Sequence, residues 1–304
     1  MTTHPGWRST ALILGTTLAV LAGTPARADY VGGMAAFQAR NFHQAYLQLL
    51  PAGHSGDPRA QFMLGQLSDS GLGPVQRDAS EAARWYRAAA RQGHGPAQYA
   101  LARAYAEGSG VPVDGTQAVA WLTASATSNF VPAILALADM YDRGAGVAQD
   151  AQAATNWLRR AATLGSPRAT YILAERTLIG RGTPVNVSDG WALMRRAADR
   201  GEPTAMLRLG QINLGSNATA EQRISSMTML LLAIRFGNAD VKREATRARA
   251  ELAVNMMPNE IAEATTRSRA FEPPPGAADI DGPRMEAPPP AAGRGQQARG
   301  AQRR

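Results

Sequence analysis

The fold is decided by the stretch from Pro132 to Gly165, PAILALADMYDRGAGVAQDAQAATNWLRRAATLG. When the chain is shifted by 36 residues, it matches itself again and again. Small turn residues recur with this spacing, at Gly93, Asn129, Gly165, Gly201 and Gly237. Apolar residues recur with the same spacing, at Trp85, Trp121, Trp157, Leu193 and Met229. Self-similarity at a fixed period of this length predicts an array of stacked helical units.

Each unit of the array is predicted to contain two helices. The apolar stripe of the first helix consists of Ala133, Leu137, Ala138 and Tyr141. Gly144 and Gly146 end this helix, because glycine adopts left-handed dihedral angles without a Cβ clash. Asp150 then caps the next helix by accepting from its free backbone N–H groups. The apolar stripe of the second helix consists of Ala154, Trp157, Leu158, Ala161 and Ala162. Because one helix pair cannot bury both stripes, neighbouring units must stack.

These residues resemble a known family. A Leu-Gly or Leu-Ala pair, a tyrosine, a Gly-x-Gly turn, a capping aspartate and a tryptophan followed by paired alanines are similar to the Sel-one-like repeat, a relative of the tetratricopeptide repeat. The resemblance extends over roughly residues 31–270. It implies an all-α, right-handed α-solenoid that binds other proteins. It does not imply one reaction, because a fold does not determine a function.

The chain divides into a leader, a repeat domain over 29–270 and a tail. Residues 31–56 form a degenerate terminal unit, and the five full units are 57–93, 94–129, 130–165, 166–201 and 202–237. The last full unit lacks the Gly-x-Gly pair, so its loop is expected to differ. Residues 239–270 are predicted to close the array with two helices, 239–255 and 258–270. The Pro-, Ala-, Gly- and Arg-rich tail, 271–304, is predicted to be disordered, with no apolar pattern linking it to the array.

The first 28 residues have the pattern of a secretory signal peptide. Arg8 supplies the positive end, the run from Ala11 to Gly23 the apolar core, and Ala26-Arg27-Ala28 the cleavage site. The pattern predicts cleavage after Ala28 and a periplasmic or secreted protein. The apolar run is short for a membrane span, although an uncleaved anchor is the alternative.

The sequence contains few groups that could perform catalysis. It has no cysteine, and the predicted mature chain has three histidines, His43, His54 and His94, which follow no metal-ligand spacing. No G-x-S-x-G elbow occurs, and the Gly-x-Gly pairs lack the G-K-[ST] ending of a phosphate-binding loop. We therefore expect a protein that is not an enzyme and that has neither a cofactor nor a metal site.

Two sets of residues are candidates for binding. On the first helices, the inner face is predicted to carry one row at Phe62, Tyr99, Leu135, Tyr171 and Leu207, and a second row at Gln66, Arg103, Asp139, Glu175 and Gln211. The alternative is that the first row packs between adjacent first helices. On the second helices, a basic set consists of Arg87, Arg159, Arg160, Arg195 and Arg196. Its alternative is a solvated helix face with charge pairs.

The function predicted from the sequence is that of a non-catalytic scaffold or adaptor in the bacterial envelope. It would bind an unidentified partner protein or extended peptide on the solenoid surface, and we expect no nucleic acid partner. Two other functions stay open. One is binding of an anionic polymer, such as a polysaccharide, through arginines and the tail, consistent with the formal net charge of +8. The other is a hydrolase whose site follows no recognised motif. The sequence does not indicate the partner's identity or the oligomeric state.

Overall fold

A computed structural model of the protein describes residues 25–74, 76–215, 217–276 and 280–281. Within these ranges the chain forms helices and no strand. Their bounds are α1 Pro25–Gln38, α2 Phe42–His54, α3 Pro58–Ser70, α4 Ala79–Arg91, α5 Gly95–Glu107, α6 Gly115–Thr127, α7 Val131–Arg143, α8 Ala151–Thr163, α9 Pro167–Ile179, α10 Val187–Asp199, α11 Pro203–Gln211, α12 Ala220–Phe236, α13 Ala239–Ala253 and α14 Pro258–Ala270. None of these helices is both long and apolar enough to cross a membrane.

The helices stack in chain order, which confirms the predicted all-α solenoid. The pair α1–α2 forms the degenerate first unit. The next ten helices form five pairs, which we number units 1 to 5: α3–α4, α5–α6, α7–α8, α9–α10 and α11–α12. Helices α13 and α14 close the array, and both contact α12 or α11 of unit 5.

The caps that begin and end the helices explain the regular period. The side chains of Asp78, Asp114, Asp150 and Asn186 accept from backbone N–H groups in the first turn of the second helices. The first helices of units 1 to 4 end at Gly71, Gly108, Gly144 and Gly180, whose φ angles lie between 65° and 78°. These glycines are required there because a side chain would be strained in that conformation.

Small residues let the two helices of a unit approach each other closely. The residue three positions before the tryptophan position is buried in all five units, at Ala82, Ala118, Ala154, Gly190 and Ser226. In unit 4 the approach is so close that a Cβ added at Gly190 would lie 2.6 Å from Leu178 Cγ. The alanine-rich composition is therefore a packing requirement of the array.

Unit 5 departs from the pattern of the others, as its sequence predicts. Helix α11 has 9 residues where the other first helices have 13, and α12 has 17. Gly237 occupies the expected phase at the end of α12, but its φ is −72°, so it forms no left-handed turn. Since the Gly-x-Gly turn is missing, the first helix ends early and the second extends.

Part of the predicted tail packs on the solenoid, which corrects the expectation that nothing links the tail to the array. The Phe271 ring contacts Phe236 edge-on, and the Phe271 carbonyl accepts from Arg235. Further along, Ile280 packs into the core between units 3 and 4. The Asp281 carboxylate accepts from the Ser166 hydroxyl and, at 3.1 Å, from the Arg168 N–H. Residues 282–304, like the leader residues 1–24, lie outside the described residues.

The Asp281 contact has a local cause. In units 1 and 5 the capping carboxylates of Asp57 and Glu202 accept from the N–H two residues later. In units 2 and 3 that position is a proline, which has no N–H. In unit 4 the cap is Ser166, whose hydroxyl accepts from Ala169 N instead. The Arg168 N–H is therefore left without a local acceptor, and it donates to the Asp281 carboxylate from a distant part of the chain. The sequence does not predict this contact, because Ile280 and Asp281 lie in a Pro- and Gly-rich tail that has no repeat pattern.

Candidate functional site

The predicted rows on the first helices meet at one groove. It has a volume of about 330 Å³ and lies between α3, α4 and α5. Two members of each row line it: Phe62 and Tyr99 from the first, Gln66 and Arg103 from the second. These residues belong to units 1 and 2, so the groove is the interface between those units.

Aromatic rings form the walls of the groove. The ring centroid of Phe62 lies 5.9 Å from that of Tyr86 and 5.2 Å from that of His94. Tyr99 contacts Phe130 with centroids 5.6 Å apart. Burial raises the pKa of Tyr86, and the nearby Asp69 carboxylate raises it further. The tyrosines are therefore neutral at physiological pH, and the walls are apolar with polar tips.

Charged side chains lie along the rim of the groove and at one end. Arg103 and Glu107 pair across one helical turn, with N–O 3.0 Å. Asp69, at the end of α3, also lines the groove. Among the residues that the structure describes, no arginine, lysine or histidine forms an ion pair with the Asp69 carboxylate. The groove thus combines aromatic walls with a carboxylate that has no cationic partner in the described chain.

The structure places the other row residues outside this groove. Leu135 packs against the core of units 2 and 3, and Asp139 pairs with Arg143 on its own helix. Glu175 pairs with Arg208 of the next unit at 3.3 Å, and burial raises the pKa of Tyr171 beside them. Leu207 is only 4% exposed, so a ligand does not reach it. The row is therefore not one continuous binding surface.

Three arginines of the basic set on the second helices, Arg87, Arg159 and Arg160, make contacts between units. Arg160 donates to the Asn129 side chain at 2.7 Å and to the Thr127 carbonyl at 2.8 Å. Arg159 reaches Thr183 in the next unit at 3.0 Å. Arg87 donates to the Tyr105 hydroxyl at 3.2 Å. Arginines that bind carbonyls at the ends of helices stabilise the array.

The sequence prediction missed a buried polar site between units 3 and 4. Arg176 of α9 is only 3% exposed. Its guanidinium pairs with Asp142, and it donates to Thr155 Oγ1 at 2.8 Å and to the Ala151 carbonyl at 2.6 Å. Arg181 adds a second ion pair to Asp142 at 3.6 Å. The signal for this site was available, because the repeat period places Arg176 where units 2 and 3 have Ala104 and Met140.

The groove and the Arg176 site occupy equivalent places in the repeat. Three residues of unit 1 line the groove: Asp69, Ala79 and Ala83. By the repeat period they correspond, in this order, to Asp142, Ala151 and Thr155 of unit 3. In the following units, Ala104 and Ser109 correspond to Arg176 and Arg181, and both line the groove as well.

The backbone confirms this equivalence. A Cβ added at Gly110 would lie 2.0 Å from the Ala79 carbonyl oxygen, and one added at Gly182 would lie 2.0 Å from that of Ala151. The loops of units 2 and 4 therefore rest on the preceding unit in the same way. The groove is open because alanine and serine stand where the later interface has two arginines.

The remaining two interfaces lack the carboxylate. At the interface of units 2 and 3, the four equivalent residues are Ala106, Gly115, Val119 and Met140. Met140 fills the space there, since its Cε lies 3.5 Å from the place of a Cβ on Gly146. At the interface of units 4 and 5 the residues are Leu178, Val187, Trp191 and Ile212. Among these four interfaces, the two that have an aspartate at the position of Asp69 and Asp142 contain either an open groove or a buried arginine.

The three histidines in the described part of the chain do not gather into a metal centre. His94 caps α5 through Nδ1, His54 stacks on Trp85 with centroids 5.4 Å apart, and His43 lies on α2. Within the described part of the chain, no group of three histidine, aspartate or glutamate side chains could hold a metal ion.

Known proteins share both the repeat and the fold. The Sel1 repeat matches residues 58–94, 95–130, 131–166 and 167–202, within one residue of the bounds predicted for the first four full units. Among solved structures, a Sel1 repeat protein from Oxalobacter formigenes is 24% identical, with a TM-score of 0.64. The match covers 80% of this chain and 100% of that one.

A second solved structure, larger than this chain, is also similar. It is a protective antigen of uropathogenic Escherichia coli strains, described as displaying an SLR fold, with 23% identity and a TM-score of 0.67. The match covers 88% of this chain and 58% of the antigen. At these identities the likeness shows the fold alone. Comparison with curated proteins gives no match.

Proposed function

Residues 58–202 belong to the Sel1 repeat family, and from this premise we propose that the protein is a non-catalytic scaffold that binds a partner protein. Sel1 repeat proteins commonly act as protein-interaction scaffolds, and solenoids of stacked units offer long surfaces for a partner chain. The observation that carries the proposal is the groove between α3, α4 and α5, because aromatic walls and charged rims are typical of surfaces that bind peptides.

Three arginines of the second helices are engaged within the array, which favours the first-helix side as the partner surface. A surface that binds an anionic polymer needs cationic groups that are available to the ligand. Arg87, Arg159 and Arg160 donate instead to groups within the array. The first-helix side, with its open groove, is therefore our candidate for the partner surface.

We also propose that the protein acts outside the cytoplasm. The support is the leader pattern of Arg8, the apolar run and Ala26-Arg27-Ala28. The expected mature protein begins at Asp29 and works in the periplasm or as a secreted protein. Mass spectrometry of the chain from a native extracellular or periplasmic fraction tests this, and retention of the leader in the cytoplasmic fraction would contradict it.

The experiment for the scaffold uses two matched charge pairs. Arg103 and Glu107 lie on the groove, whereas Arg143 and Asp139 form the same i, i+4 pair on α7 outside it. A photo-crosslinking residue placed at Gln66 should capture the partner in cells. The same group at the exposed Gln152 on α8 serves as the control.

With the partner identified, Glu107→Ala should weaken its binding, whereas Asp139→Ala should leave it unchanged. The melting temperature should be the same for both variants, because exposed pairs of this kind contribute about 0.5 kcal/mol. Equal capture at Gln66 and Gln152, or equal loss of binding in the two variants, would contradict a binding surface at the groove.

A further inference from the structure

The interface between units 1 and 2 and the interface between units 3 and 4 are two versions of one site. In the later version, a guanidinium is held by the Asp142 carboxylate, the Ala151 carbonyl and the Thr155 hydroxyl. In the earlier version, the corresponding residues, Asp69 and Ala79, line the open groove. The chain therefore shows, in its own fold, which chemical group this site accommodates.

We propose that the groove between units 1 and 2 binds an arginine side chain presented by the partner protein. The inference rests on the proposed scaffold function and names the chemistry of its ligand. The guanidinium would pair with Asp69 in the way that Arg176 pairs with Asp142. A planar guanidinium can donate to a carboxylate and a carbonyl at the same time, which the ammonium group of lysine does less well.

The walls of the groove fit the rest of an arginine side chain. Phe62, Tyr86 and Tyr99 line it, and aromatic faces attract a guanidinium and cover its aliphatic stem. The array already uses this contact elsewhere, since the Arg59 guanidinium lies 4.2 Å from the centroid of the Tyr30 ring. Ala104 and Ser109, whose equivalents are arginines in unit 4, leave the volume that the partner's side chain would fill.

The site lacks one of the hydrogen-bond acceptors that its counterpart has. Ala83 replaces Thr155, so the hydroxyl that accepts from Arg176 Nε has no equivalent in the groove. An arginine bound there would make two kinds of polar contact instead of three. We therefore expect weak binding of an isolated arginine, with the flanking residues of the partner supplying further affinity.

The first test measures binding of small probes to the full chain by NMR. The methyl groups of Ala83 and Ala104 line the groove and report on its occupancy. N-acetyl-arginine amide should bind with a dissociation constant on the order of 1 mM. N-acetyl-citrulline amide, which has the same shape without the charge, should bind about tenfold more weakly. Equal binding of the two probes would overturn the proposal.

A matched pair of variants locates the binding carboxylate. Asp69→Asn should weaken arginine amide binding about tenfold, because it removes the charge that a guanidinium requires. Asp139→Asn removes the same charge from a first helix outside the groove and should leave the binding unchanged. Loss of binding in both variants would indicate a general effect of net charge and would overturn the assignment to Asp69.

A third variant decides whether the chain supplies the arginine itself. The tail residues Arg284, Arg294, Arg299, Arg303 and Arg304 are changed together to glutamine. If a partner supplies the arginine, the probe binds the native chain and this variant equally. If only the variant binds the probe, the arginine site stands, but the claim that a partner fills it is overturned. Partner capture at Gln66 that arginine amide fails to compete would overturn the arginine proposal and leave the scaffold function intact.

Discussion

Two interfaces of the same solenoid, built on the same repeat, differ in what fills them. Between units 3 and 4, Arg176 is buried against Asp142, Thr155 and the Ala151 carbonyl. Between units 1 and 2, the equivalent positions leave a groove of about 330 Å³. The backbone contact is the same at both, because Gly110 and Gly182 lie equally close to the carbonyl oxygens of Ala79 and Ala151. In a repeat protein, the residue that fills an interface can therefore change while the architecture is retained.

The comparison also shows that a filled interface and an open one make different demands on their residues. A buried ion pair must be kept complete, because each partner leaves an unpaired buried charge when the other is lost. A carboxylate at the edge of an open groove has water as its partner and is free to bind a ligand. Substitutions at equivalent positions should accordingly have unequal effects.

The largest effect is expected for Arg176→Ala. It leaves the Asp142 carboxylate, 18% exposed, without its main partner and opens a cavity, so the free energy of unfolding should fall by about 3–5 kcal/mol. Chemical denaturation of the full chain measures this. The control is the double variant Arg176→Met with Asp142→Ala, which reproduces two of the four residues of the interface between units 2 and 3, Met140 and Ala106, and should recover most of the loss. An unchanged stability in Arg176→Ala would mean that the pair is not buried.

The two equivalent aspartates give the sharpest contrast. Asp142→Ala should lower the free energy of unfolding by about 3 kcal/mol, because Arg176 stays buried without a counter-ion but keeps its hydrogen bonds to Thr155 and the Ala151 carbonyl. Asp69→Ala should change it by less than about 0.5 kcal/mol, as is usual for a side chain without a buried partner. Denaturation curves of the two variants side by side decide the matter. Similar losses would show that Asp69 is structural and that the groove is not a vacant site.

The sequence predicts most of the fold of this protein but only part of the candidate site. The 36-residue period, the capping aspartates and the turn glycines predict the helices of units 1 to 4 with bounds close to those observed. It was harder to predict which side chains of a helix are buried against the neighbouring unit and which are exposed. Arg176 follows Glu175 on a helix and looks like a solvated charge until the neighbouring unit is in place. Leu207 looks like a surface position by analogy with Tyr171, yet the irregular unit 5 buries it.

A smaller effect is expected from the contact of Asp281 with Ser166 and Arg168, which lies at the interface of units 3 and 4 and has no equivalent at the groove. Asp281→Asn weakens the hydrogen bonds to Ser166 and Arg168, so we expect a loss of about 1 kcal/mol. Asp279→Asn changes the same charge two residues away and serves as the control. Thermal denaturation of both variants measures the difference. Equal melting temperatures for Asp281→Asn and the native chain would show that the contact contributes nothing to stability.

The smallest effect concerns pH. Burial lowers the pKa of His94, which caps α5 and packs on Phe62 at the open interface, with Asp57 and Arg59 as the charged groups nearby. Because the folded pKa lies below the unfolded value of about 6.5, the neutral form is favoured on folding. Its contribution is complete above about pH 6.5 and is lost as the pH falls through the folded pKa.

This pH dependence distinguishes the two interfaces, because the equivalent cap of unit 4 is Ser166, which does not titrate in this range. His94→Ser should therefore reduce the loss of melting temperature between pH 7.5 and pH 5.5. The native chain and the variant are compared by thermal denaturation at both values. An identical pH profile would assign the acid sensitivity to other groups.

The most direct measurement is a crystal structure of the Ala104→Arg variant, combined with an arginine amide titration. This change gives unit 2 the residue that unit 4 carries at the same position. We expect the new guanidinium to pair with the Asp69 carboxylate and to lie beside the Ala79 carbonyl, as Arg176 does with Asp142 and Ala151. We also expect that the probe no longer binds. A new side chain that points into solvent, with arginine amide still bound, would contradict the equivalence of the two interfaces.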